Sequence, residues 1–186
     1  MAVSLACAFG QVQKTLLIDC DLRRPSLDEI VSKGAFNRRQ PGLNDLCLGS
    51  TSLSECIHSL GDSNVHVLLA GTINPNPQEL FCSTKFTKVL NALAQHYDVI
   101  VMDSAPSGGL SDALLLSTHV DQVAYVAKSN STPVPRIRAA IQALESSNAP
   151  LAGIILNQVP VTDSAFTYYY SRGYYDKAIQ EQVVES

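Results

Sequence analysis

The chain has 186 residues, enough for one domain to bury most of its apolar surface, and 46% hydrophobic against 16% charged residues describes a globular protein. No apolar run approaches the roughly 20 residues of a membrane helix, and the opening MAVSLACAFG lacks the basic start of a secretory signal. A net charge of −4 argues against a general nucleic-acid binder, although six of the thirteen basic residues fall between Lys14 and Arg39, where they can meet phosphate.

Five cysteines without a CxxC pair suit reduced thiols, and four scattered histidines without an HExxH pair make a zinc site unlikely. Each histidine reads as surface or satisfied core.

In chain order, Val3, Leu5, Ala6 and Phe9 fit a helix that Gly10 ends. Thr15 to Ile18 is a continuous apolar run of strand length, the pattern of a strand buried on both faces, and it runs straight into Asp19 and Asp21. Ser26 to Ser32 can form a short helix, followed by an exposed basic loop from Gly34 to Gly42. Leu43 to Leu48 and Leu53 to Leu60 read as two short helices, the second opened by a capping box of Ser52 and Glu55.

Val65 to Leu69 is a strand, and Pro77 opens a short helix from Gln78 to Phe81. Ser83 caps a longer helix reaching about His96. The clearest strand, Val99 to Met102, ends at Asp103. Helix at Ser111 to Thr118, strand at Gln122 to Lys128, helix at Arg136 to Ser147 and a last buried strand at Leu151 to Leu156, delivering Asn157, complete the pattern. This order specifies an α/β fold with a mostly parallel sheet flanked by helices. Residues 161–186 form a mobile tail, with Tyr168, Tyr169, Tyr170, Tyr174 and Tyr175 placing five of the seven tyrosines within eight residues.

Ligands bind open α/β sheets at the carboxyl ends of the strands. Asp19, Asp21 and Asp103 at such ends are the acidic half of a nucleotide site, because Mg²⁺ takes hard oxygen ligands beside substrate phosphates. Arg23 and Arg24 supply cations next to them. The alternative is that Asp19 caps a loop and Asp21 is solvated.

LLIDCDLRRPSL, PGLNDLCLGSTSL, LLAGTINPNPQEL, YDVIVMDSAP, SDALLLS and GIILNQV follow one another in an order that resembles the bacterial tyrosine kinases of capsular and exopolysaccharide synthesis, relatives of the MinD and ParA ATPases. The resemblance implies a P-loop NTPase fold, with residues 1–160 a partial kinase domain and residues 161–186 its autophosphorylated tail. It places Asp19, Asp21 and Arg23 in the catalytic set, with Mg²⁺ on Asp21 and Asp103 and Asn157 near the nucleotide base of ATP. The five clustered tyrosines are the implied phosphoacceptors.

The family's phosphate loop GxxxxGK[ST] is not found here, since no Gly-Lys pair occurs in the chain. The expectation is therefore a truncated domain lacking its first strand and phosphate loop, and inactive alone. The implied partners are further copies in a ring, each offering its tail in trans, and a membrane activator domain, with no nucleic acid. The implied location is cytoplasmic, at the inner face of the cell membrane. Two alternatives stand beside this: a catalytically dead partner of an intact kinase, and a ParA- or MinD-like positioning ATPase.

Overall fold

The computed structural model describes residues 1–32, 40–61, 63–105 and 110–160. Helix α1 (Ala2–Phe9) leads into β1 (Thr15–Asp19), then α2 (Leu27–Ser32), α3 (Leu43–Leu48), α4 (Leu53–Cys56), β2 (Ile57–Ser59) and β3 (Val65–Leu68). After these come α5 (Pro77–Phe81), α6 (Thr84–Ala94), β4 (Val99–Asp103), α7 (Leu110–Ser117), β5 (Val123–Lys128), α8 (Val134–Ser146) and β6 (Leu151–Asn157).

The larger sheet has the order β2-β3-β1-β4, with β1 parallel to both β3 and β4. Every residue of β1 is buried, as its unbroken apolar run requires of a parallel strand covered on both faces. Leu16 and Ile18 pack with Phe81, Phe86, Leu90 and Leu93 of α5 and α6. Leu17 points the other way, against Ala6 of α1 and Val65 and Val67 of β3. Strand alternation thus splits one run between two cores. The local signals at the helix starts are also in place. Glu55 accepts the Ser52 N–H at 2.8 Å, Pro77 opens α5, and the Ser83 hydroxyl caps α6 by accepting from Phe86 N–H at 3.2 Å.

Two expectations are corrected. The helix expected from Leu53 to Leu60 ends at Cys56, and Ile57 to Ser59 instead pair antiparallel with β3. A helix this short gains little from cooperativity, and β-branched Ile57 satisfies its backbone on the sheet edge opposite Leu68. The strand expected to be buried at Leu151 to Leu156 is half-exposed, with Ile154 at 53% and Leu156 at 57%. Among the described residues it pairs only with β5, in a separate two-stranded parallel sheet. Apolar content on both faces implies burial only where both faces are covered, and the core here joins β5 to α8. Two histidines sit in satisfied contacts: His66 Nδ1 lies 2.7 Å from the Tyr97 hydroxyl, and His119 Nε2 lies 3.0 Å from the Phe81 carbonyl. The tyrosine-rich segment lies outside the described residues.

The exit of β3 is locked onto the start of α3. Leu43 and Asn44 donate their N–H groups to the Leu69 and Ala70 carbonyls at 2.8 and 3.0 Å. The Asp45 carboxylate accepts from Gly42 N–H at 3.0 Å, Thr72 N–H at 2.9 Å and the Thr72 hydroxyl at 2.5 Å. Although burial opposes it, these donors hold the Asp45 carboxyl below its ordinary range. Gly71 has φ of +79°, and a Cβ there would collide with Asp45 Oδ2 and the Gly42 backbone. Replacing Gly71 with Ala is expected to destabilise the protein by about 2 kcal/mol or more, from left-handed strain and the clash together. A urea midpoint equal to wild type would show that this junction is not rigid.

Candidate active site

β1 and β4 run in register to their last residues, so Asp19 stands opposite Asp103, and the Cys20 N–H extends the ladder to the Asp103 carbonyl at 2.8 Å. Both carboxylates leave the sheet at one edge. Asp19 is only 2% exposed. Its Oδ1 accepts from Asp21 N–H at 3.0 Å and its Oδ2 from Leu27 N–H at 3.3 Å, so it organises the whole turn between β1 and α2. The loop-capping alternative describes these bonds, yet the same residue faces a cleft.

Burial pushes the Asp19 carboxyl up to about 6, against the two backbone donors and with the charges of Asp103 and Asp21 adding to the rise. Burial also raises the Asp103 carboxyl, and the charge of Asp21 reinforces the rise. Asp21 is half-exposed and accepts from Arg24 N–H at 3.0 Å.

A cleft of about 260 Å³ opens beside Asp19, lined also by Arg23, Arg24, Asp28, Gln40 and the Leu69 to Gly71 stretch. Arg23 lines it, and its guanidinium is held by residues beyond the lining. Its Nε donates to Asp112 Oδ2 at 2.8 Å, its Nη2 to Asp112 Oδ1 at 3.3 Å and its Nη1 to the Pro75 carbonyl at 2.7 Å. The structure therefore brings Asp19, Asp21, Arg23 and Asp103 to one edge. Asn157 lines a second cleft, of about 280 Å³, with Lys128, Thr132, Arg136 and Gln158. The five tail tyrosines lie outside the described residues.

Among the described residues, no three His, Cys, Asp or Glu side chains converge closely enough to hold a metal by themselves. The donors present suit Mg²⁺, which is bound by one or two carboxylates completed by water and phosphate oxygens. Asp112, Asp45 and Asn74 were not singled out by the sequence reading. Asp112 offered only an acid in the first turn of a helix, and its partner lies 89 residues away.

A mostly parallel sheet flanked by helices, with carboxylates at the ends of neighbouring strands, makes this an α/β protein of the nucleotide-binding type of architecture. The fold aligns with the septum site-determining protein MinD of Pyrococcus horikoshii at a TM-score of 0.67 and 21% identity, over 87% of this chain and 65% of that one. The VpsO kinase domain aligns at a TM-score of 0.79 and 35% identity, over 86% of this chain and 77% of that one. The putative tyrosine-protein kinase CapB of Staphylococcus aureus is 30% identical over 91% of this chain and 73% of its own length. No protein-family model matches. The chain belongs to the bacterial tyrosine-protein kinases of capsule and exopolysaccharide synthesis, the family of CapB.

The raised Asp19 carboxyl makes stability depend on pH. The folded chain keeps this proton to about pH 6, whereas the unfolded chain releases it near 3.8. The native state therefore binds more protons between those values. Stability falls as pH rises through the window, by about 3 kcal/mol in total. Asp19→Asn is expected to remove that slope, read as the difference in urea midpoints between about pH 4 and pH 7. The same slope in both proteins would show that Asp19 is not its source.

Proposed function

We propose that the chain is the C-terminal catalytic part of an ATP-dependent protein-tyrosine autokinase that controls polysaccharide assembly and export. The observation that carries the reading is the Asp19 and Asp103 pair, delivered in register at one sheet edge with Asp21 two residues on. ATP would supply the phosphoryl group, and Mg²⁺ would neutralise charge on its phosphates. Asp21 and Asp103 are the residues suited to hold the metal. Asp19 lines the cleft and has a carboxyl pushed up to about 6, which suits it to accept the proton of a tyrosine hydroxyl near neutral pH. Asn157, which lines the second cleft, would meet the base. The acceptors are Tyr168, Tyr169, Tyr170, Tyr174 and Tyr175, offered in trans by other copies in a ring-like assembly. A membrane activator or an upstream membrane portion would hold the kinase at the inner face of the membrane; no helix among the described residues is long and apolar enough to cross one.

The phosphate cradle in this reading lies outside these 186 residues. Among the described residues, β4 pairs only with β1 and β5 only with β6, which leaves one edge of each without a described partner. All of β4 is half-buried although Val99 to Met102 are apolar. These edges support a further parallel strand between them, carrying the phosphate loop at its exit. Without it the chain would be inactive. The same edges favour a second reading, a non-catalytic partner that docks on an intact kinase and is phosphorylated there.

The test is incubation of the protein, extended upstream through a phosphate loop, with ATP·Mg²⁺, followed by phosphotyrosine detection on the tail. Labelling is expected, and Asp19→Asn should lower its rate about 10²- to 10⁴-fold. Silence of the extended wild type, with labelling of the 186-residue chain only by a separate kinase, would favour the partner.

A further inference from the structure

All three guanidinium nitrogens of Arg23 have protein acceptors. Nε and Nη2 grip both oxygens of Asp112 in the fork geometry that suits Arg and carboxylate, and Nη1 holds the Pro75 carbonyl. The Asp112 side chain is only 4% exposed, while that of Arg23 is 41% exposed. The three contacts join three separate exits from the sheet. Arg23 lies two residues beyond Asp21, and Pro75 belongs to the loop after β3. Asp112 sits in the first turn of α7, the helix that follows Asp103.

Other bonds close the same circuit. Asn74 donates its N–H to the Leu22 carbonyl at 2.9 Å, and Gln78 of α5 donates to the Ser111 hydroxyl at 2.7 Å. The loop bearing Asp19 and Asp21 is thereby tied to the helix that follows Asp103 by side chains as well as by the β1 and β4 ladder.

We propose that Arg23 and Asp112 form a positioning clamp, which sets the Asp19 and Asp21 turn against the start of α7 and so fixes the spacing of the carboxylates at the strand edge. Arg23 acts through these residues and does not bind phosphate. The proposal rests on the tyrosine-kinase reading for its catalytic consequence, but the clamp itself is a property of the fold.

The two parts are separable by experiment on the upstream-extended protein. Arg23→Lys, Arg23→Ala, Asp112→Asn and the pair R23A/D112N are compared by hydrogen exchange without nucleotide and by autophosphorylation kinetics with ATP·Mg²⁺. Each single variant is expected to speed exchange in residues 20–27 and 110–117 by about tenfold or more. Each should lower kcat about 10- to 100-fold, the usual cost of losing a supporting contact, while KM for ATP stays within about twofold. The double variant should cost no more than either single one, because both remove the same contact.

Wild-type exchange in Asp112→Asn would overturn the clamp whatever the activity. A raised KM for ATP in Arg23→Ala, with full activity in Asp112→Asn or in Arg23→Lys, would make Arg23 a phosphate cation and also overturn it. Should Asp112→Asn fail to fold, Arg23→Lys decides alone, since it alters a part-exposed side chain and keeps its charge. An inactive wild type with the expected exchange pattern would sink the kinase reading and leave the clamp standing.

Discussion

The site depends on one constraint: β1 is buried on both faces and ends in a carboxylate while still inside the sheet. Leu16 and Ile18 pack into one core and Leu17 into the other, so a slip by one residue would mispack both cores. Its register with β4 is therefore firm, and it sets Asp19 opposite Asp103. Burial raises the cost of ionising Asp19, and the chain answers by turning two backbone N–H groups back onto it. The turn that presents Asp21, Arg23 and Arg24 takes its shape from satisfying that one buried acid.

Around this turn the loops are held by polar contacts that local sequence does not announce. Asp45 gathers three donors from Gly42 and Thr72, and the Asn74 side chain donates to buried Asn44 at 3.0 Å. These bonds give the cleft a wall that cannot easily shift, at the cost of a glycine in left-handed geometry at position 71. Such rigidity matters where phosphoryl transfer is catalysed by positioning and electrostatics rather than by covalent steps.

The smaller β5 and β6 sheet shows the other side of the same physics. Its apolar residues resemble those of β1, yet Val126, Ile154 and Leu156 are exposed, because among the described residues the core there lies on the α8 side.

The sequence by itself determined the strand-helix order, the strand ends at Asp19 and Asp103, the helix starts at Pro77 and Ser83, and the family resemblance. Periodicity, capping and turn chemistry act over a few residues, so they are written locally. It did not determine that Ile57 leaves a helix for a sheet edge, that β6 is half-exposed, or that Arg23 is held by Asp112. Those outcomes rest on groups that meet only once the chain is folded. Arg23 and Asp112 are 89 residues apart, and neither residue's neighbours carry a trace of the other. Tertiary structure decided them because long-range pairing answers to which polar groups are left buried together, and only packing determines that.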